Sequence, residues 1–178
     1  MLQIAYYTIC GVLALTTSLL DPARGKSHVR TLVDTTFHVL ILPLSFYVSG
    51  MFWGLYLYDR ELVFPAHLDA IVTPYYNHQK HTLVIVWTVL ETVIVAHAAP
   101  TRRAGSFSAG LFCAVYLGIV LWVQCIGGVW AYPILGVLGV FGKIVFCFAC
   151  IIVYVLLFRV GASVSNILHG SEPLQKTC

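Results

Sequence analysis

The sequence predicts an all-α fold, a polytopic transmembrane helix bundle, on three observations. Of the 178 residues, 60% are hydrophobic and 10% are charged, where a soluble globular domain carries about a quarter charged. Five stretches approach the roughly 20 apolar helical residues that cross about 30 Å of hydrocarbon. Short loops between them hold most of the charge. The expected organisation is one transmembrane domain over 1–178, with spans at about 1–20, 35–58, 81–99, 107–126 and 134–158 and an interfacial segment at 62–76.

The first span, 1–20, is uncharged. It lacks the basic start and the small-residue cleavage pattern of a signal peptide. Asp21-Pro22 stops it, and Arg24, Lys26 and Arg30 follow. The second span contains Pro43, which removes a backbone hydrogen bond and is tolerated in a bundle where a neighbour satisfies the freed carbonyl. Trp53, Tyr56 and Tyr58 crowd its far end, as aromatic residues do at a headgroup boundary. Segment 62–76 is broken by Pro65 and Pro74 and is too short to span, so it is expected to lie along the interface or dip back into the bundle. The third span, 81–99, carries Glu91, and the loop after it carries Arg102 and Arg103. In the fourth, Ala109, Gly110, Ala114 and Gly118 would let a neighbouring helix approach closely. Gly127 to Pro133 forms an aromatic turn, the fifth span contains Lys143, and the tail from Arg159 is expected to be solvated.

With spans alternating in direction, Arg24, Lys26, Arg30, Arg102, Arg103, Arg159 and Lys176 fall on one side, and Arg60, Lys80 and Lys143 on the other. The side with seven basic residues is expected to be cytoplasmic, with the C-terminus on it. The net charge of +3 is small and dispersed, which excludes a nucleic-acid surface. The cysteines lie mostly in apolar spans, where they behave as small hydrophobes. Cys147 and Cys150 have C-x-x-C spacing but no accompanying ligands, so neither metal nor redox chemistry is expected of them.

The longest polar interruption, 58–82, holds Asp59, Arg60, Glu61, Asp69, Lys80 and three histidines. Asn77, His78 and His81 are spaced to share one helix face. A histidine there has a reference pKa near working pH and can serve as a general base, or it can simply be solvated at the interface. Asp59 and Arg60 are either a solvated helix end or charges that orient His81. No H-E-x-x-H pattern and no nucleophile elbow is present, so no metal site is expected. Glu91 lies about 15 Å below His81 and Lys143 at similar depth, so an intramembrane Glu91–Lys143 pair is one expectation. A protonated Glu91 with a snorkelling Lys143 is the other. Such a pair is also what a transporter would carry.

Tyr58-Asp59-Arg60-Glu61-Leu62-Val63-Phe64-Pro65, Leu68-Asp69, Asn77-His78 and His81-Thr82 resemble the androgen-induced membrane proteins, a family that includes the androgen-dependent regulators of tissue factor pathway inhibitor. Gly128-Val129-Trp130-Ala131-Tyr132-Pro133, Pro43 and Glu91 fit the same pattern, and the resemblance covers nearly the whole chain. It implies a six-span threonine hydrolase of fatty-acid esters of hydroxy fatty acids, without metal or other cofactor. His81 would be its catalytic histidine, with Asn77, His78, Asp59, Arg60 and Glu91 in support. The implied partners are a lipid substrate and membrane lipids. The implied setting is the endoplasmic reticulum or cell membrane.

One departure concerns the nucleophile. The family's threonine precedes a Leu-Gln and paired aromatics, which Leu2-Gln3 and Tyr6-Tyr7 resemble. On that register it falls before Met1, Gln3 is no nucleophile, and Thr8 is too deep. The expectation is a chain short at its N-terminus and inactive as it stands. The alternative is a non-catalytic membrane protein that binds lipid or a partner through the same cavity.

Overall fold

The computed structural model describes residues 5–12 and 26–170; these form helices and turns, without a strand among them. Leu2-Gln3, residues 13–25 and residues 171–178 lie outside the described residues, and with them most of the first expected span. α1 covers residues 5–12. α2, Lys26–Thr36, runs into a π-helical turn, Phe37–Ile41, and on into α3, Leu42–Asp59. Two 3-10 turns, Arg60–Leu62 and Ala66–Ala70, lead to α4, Pro74–His81, and α5, Leu83–Ile94. α6 is Arg102–Gly127, α7 is Pro133–Val137 and α8 is Val140–His169. Among the described residues, three stretches are long and apolar enough to cross a membrane: Val29–Leu62, α6 and α8.

Pro43 accounts for the irregular turn before α3. It has no N–H to offer the carbonyl of Val39, four residues back. The Leu42 N–H instead reaches the Phe37 carbonyl, which widens the turn by one residue. The freed Val39 acceptor is met by a side chain. Tyr154 of α8, 1% exposed, donates its hydroxyl to the Val39 carbonyl at 3.1 Å, with the Leu40 carbonyl at 3.4 Å. Ser45 donates to the Ile41 carbonyl at 2.6 Å. A neighbouring helix thus re-satisfies the proline break, as hydrocarbon surroundings require.

Around this junction α3, α6 and α8 enclose a core of Val39, Ala109, Cys113, Cys150, Tyr154, Phe158 and Ala162. A second cluster joins Tyr6 of α1 to Phe37, Ile41 and Leu42. The outward faces remain apolar, with Leu111, Trp122, Phe148 and Ile167 among their exposed residues. Lipid tails solvate such faces as well as protein would.

Three expectations change. The helix within 81–99 is α5 alone, 12 residues or about 18 Å; the backbone becomes extended at Val95 and carries His97 into a buried ion cluster. The tail does not become solvated at Arg159. α8 continues to His169, and Phe158, Gly161, Ala162 and Ser165 are buried along it, because small residues there serve helix contact rather than solubility. Glu91 and Lys143 do not pair: Glu91 bonds His97 at 3.0 Å, and the Lys143 ammonium lies 4.4 Å from the centre of the Trp130 ring. Trp130 supplies an aromatic face that offsets the cost of keeping the ammonium near apolar surroundings.

Close approach falls mainly at Gly105, outside the expected set of small residues. A Cβ there would enter the Phe158 ring, and one at Gly161 would enter the Leu42 side chain, whereas at Gly118 it would meet open space. Gly105→Ala is expected to destabilise the solubilised protein by about 1–3 kcal/mol through overpacking. Gly118→Ala is expected to stay within about 0.5 kcal/mol. Thermal unfolding in one detergent compares the two, and equal losses would contradict the α6–α8 contact described.

Candidate functional site

The polar segment after α3 is built as a hydrogen-bonded strap. Asp59 accepts from the Glu61 N–H at 3.0 Å, and Glu61 accepts from the Ala66 N–H at 2.9 Å. Arg60 pairs with Asp69 at 2.8 Å, donates to the Phe64 carbonyl at 3.2 Å and lies over the Tyr56 and Phe64 rings. These bonds shape the loop; neither Asp59 nor Arg60 bonds His81.

α4 follows, capped by the Thr73 hydroxyl and started by Pro74, whose fixed φ suits a first helical turn. Asn77 is buried on it. At its last residue the chain bends, and Trp53 of α3 holds the bend by donating its indole N–H to the His81 carbonyl and the Thr82 hydroxyl oxygen, each at 3.2 Å. His78 Nδ1 lies 3.0 Å from the same Thr82 oxygen. Of the polar candidates at this end, Asn77, His78 and His81 are therefore gathered around one bend.

The His81 ring stacks face to face on Phe52, with centroids 3.8 Å apart and planes 6° from parallel. It lines an apolar cavity of about 130 Å³ between α3, α6, α7 and α8, with Met51, Leu55, Val63, Leu117 and Leu135 among its neighbours. Its Nδ1 is buried and has no hydrogen-bond partner among the described residues. Burial, with a smaller contribution from the Lys80 charge, pushes the His81 pKa down to about 4. A neutral imidazole on the wall of an apolar cavity is chemically able to accept a proton from a hydroxyl. Phe52 was not identifiable as its stacking partner from sequence, because the two residues come from different helices.

Glu91 belongs elsewhere. Asp34 of α2, Glu91 of α5 and His97 converge near the other end of the bundle. His97 Nδ1–H donates to Asp34 Oδ1 at 2.8 Å and Nε2–H donates to Glu91 Oε1 at 3.0 Å. The Tyr6 hydroxyl donates to the same Glu91 oxygen at 3.0 Å. Tyr7 lies beside that carboxylate, but its hydroxyl falls outside hydrogen-bonding geometry. Phe37 stacks on the His97 ring at 4.3 Å, and Arg30 lies 3.8 Å from the second Asp34 oxygen. Two acceptors on opposite nitrogens call for a ring that carries both protons. Burial opposes that charge, but Asp34 and Glu91 outweigh it and hold the His97 pKa above its ordinary value. Asp34 and His97 escaped the sequence reading; each is a lone titratable residue in or beside an apolar stretch, which was the available signal.

The sign of this linkage follows from a raised folded-state pKa. His97 stabilises fully below its unfolded value of about 6.5 and loses that contribution as pH rises through the folded pKa. His97→Gln removes the positive charge between two carboxylates and is expected to cost about 3–5 kcal/mol. Thermal unfolding should show the deficit of the variant largest between about pH 5 and 6.5 and smaller at higher pH. A deficit that grows with rising pH would contradict the charged assignment.

A model of the FAR-17a/AIG1-like protein family matches residues 1–166. The androgen-induced gene 1 protein of Homo sapiens is 30% identical over 178 residues, covering 96% of this chain and 74% of that relative. The androgen-dependent TFPI-regulating protein of Mesocricetus auratus is 31% identical over 157 residues, covering 85% of this chain and 68% of that relative. No solved structure matches significantly. An all-α bundle with membrane-length apolar helices and this extent of similarity identify the chain as a membrane protein that belongs to the FAR-17a/AIG1-like family.

Proposed function

We propose that this protein is a membrane-embedded hydrolase of fatty-acid esters of hydroxy fatty acids, with His81 as its general base. The observation that carries the reading is the position of His81: a neutral ring with an unengaged buried nitrogen on the wall of an apolar cavity. In the proposed reaction a threonine hydroxyl attacks the ester carbonyl while His81 takes its proton. His81 then returns the proton to the departing hydroxy fatty acid, and water releases the fatty acid from the acyl-enzyme. No metal or other cofactor has a part in it. The cavity holds the acyl chain, and excluding water there strengthens each polar contact made to the ester.

The nucleophile is the threonine that the family resemblance implies. Thr82, next to His81, already has its hydroxyl bonded to Trp53 and His78. The basic end of the bundle lies in the cytoplasm with the C-terminus. The His81 end faces the lumen of the endoplasmic reticulum or the cell exterior. The same apolar cavity also supports a second reading, a non-catalytic membrane protein that binds lipid or a partner.

The test is hydrolysis of a defined fatty-acid ester of a hydroxy fatty acid by the purified protein in nanodiscs. It compares the chain as given with the chain preceded by a segment that supplies a threonine at the family's register. The second form should turn over the ester. His81→Ala should reduce the rate by at least about 100-fold, the scale of general-base catalysis. Turnover unaffected by His81→Ala would overturn the assignment. Absent turnover with retained lipid binding would favour the non-catalytic reading.

A further inference from the structure

On the wall of the same cavity, two phenols meet. Tyr116 of α6 and Tyr132, just before α7, both line the cavity, and their hydroxyls hydrogen-bond to each other. Tyr47, another lining residue, is engaged differently: its hydroxyl lies against the Cys150 thiol. The other lining residues are apolar apart from His81 and the thiols of Cys113 and Cys150.

A hydroxyl pair has two protons and needs only one for its own bond. The accepting hydroxyl keeps its proton for another partner, and accepting a bond makes it a stronger donor. Among the described residues, no second hydrogen bond to protein engages either phenol. A donor on an otherwise apolar wall recognises an acceptor carried by an apolar ligand, and orients it where packing alone would let it slide.

From this geometry we infer that the Tyr116–Tyr132 pair is a binding element for the carbonyl oxygen of a long-chain fatty acyl group held in the cavity. The inference rests on the reading that the cavity takes an acyl lipid. It adds the donor that fixes the carbonyl relative to the wall bearing His81. The shared chemistry is the acyl carbonyl, whether of an ester or of the free acid.

Equilibrium binding tests it without requiring turnover. The purified 178-residue protein in nanodiscs is titrated with three fluorescent ligands of equal chain length: a methyl ester, the free acid, and an ether with no carbonyl. Tyr116→Phe and Tyr132→Phe remove only oxygens, and the double variant should weaken ester binding about tenfold, the equivalent of one hydrogen bond. Ether binding should stay within about twofold. Equal weakening for ester and acid shows that the shared carbonyl is read; weakening for only one assigns the site to that source. No weakening for either carbonyl ligand, equal weakening for the ether, or no measurable binding to the unsubstituted protein would overturn the inference. Failure of hydrolysis alone would leave this result standing, so the two readings fail separately.

Discussion

The bond from the Tyr154 hydroxyl to the Val39 carbonyl is the constraint on which the remaining architecture depends. Pro43 would otherwise leave an unmet acceptor in hydrocarbon, where no water can replace it. Meeting that acceptor from α8 joins the proline junction of the first long helix to the last. The π turn beside it adds one residue to the helical register, so residues beyond it face different neighbours than a regular helix would give them. Tyr47 and Phe52, downstream of the turn, face the cavity, and Phe52 supplies the surface on which His81 stacks. A helix break and the wall of a site are thereby one piece of construction.

The two ends of the bundle treat the same residue type in opposite ways. His81 sits against an aromatic ring with an unengaged nitrogen, and burial keeps it neutral. His97 is more deeply buried but lies between two carboxylates, which keep it charged. Desolvation acts on both rings, and the presence or absence of an opposite charge decides the outcome. The charged site joins α1, α2, α5 and the chain after α5, which is structural work. The neutral ring lines an apolar cavity.

Much of this was legible in the residues. Apolar length located α3, α6 and most of α8, and the polar segment from Tyr58 to Thr82 stood out as the place where titratable groups gather. Pro43 announced a break that a neighbour would have to repair. The misreadings share a physical origin. Glu91 was matched by depth to Lys143, yet its partner is His97, six residues on, reached only because the helix stops at Ile94. Nothing local signals that Asp34, 63 positions before His97, completes the cluster. The tail from Arg159 was expected to be solvated, yet Gly161, Ala162 and Ser165 are buried along α8, because small residues suit tight helix contacts as well as loops. The stacking of Phe52 on His81 and the pairing of Tyr116 with Tyr132 depend on how separate elements pack, and residue spacing does not encode that.

The central claim is that His81 is a neutral base awaiting a proton at the wall of an apolar cavity. Nitrogen-15 NMR of histidine-labelled protein in nanodiscs tests it most directly, with the His81 signals assigned by their absence in His81→Gln. The account predicts a neutral ring with one bare nitrogen from pH 7 down through pH 5, gaining its second proton near pH 4. A His81 ring that titrates near its ordinary value of about 6.5, or that is already charged at pH 7, would contradict the account.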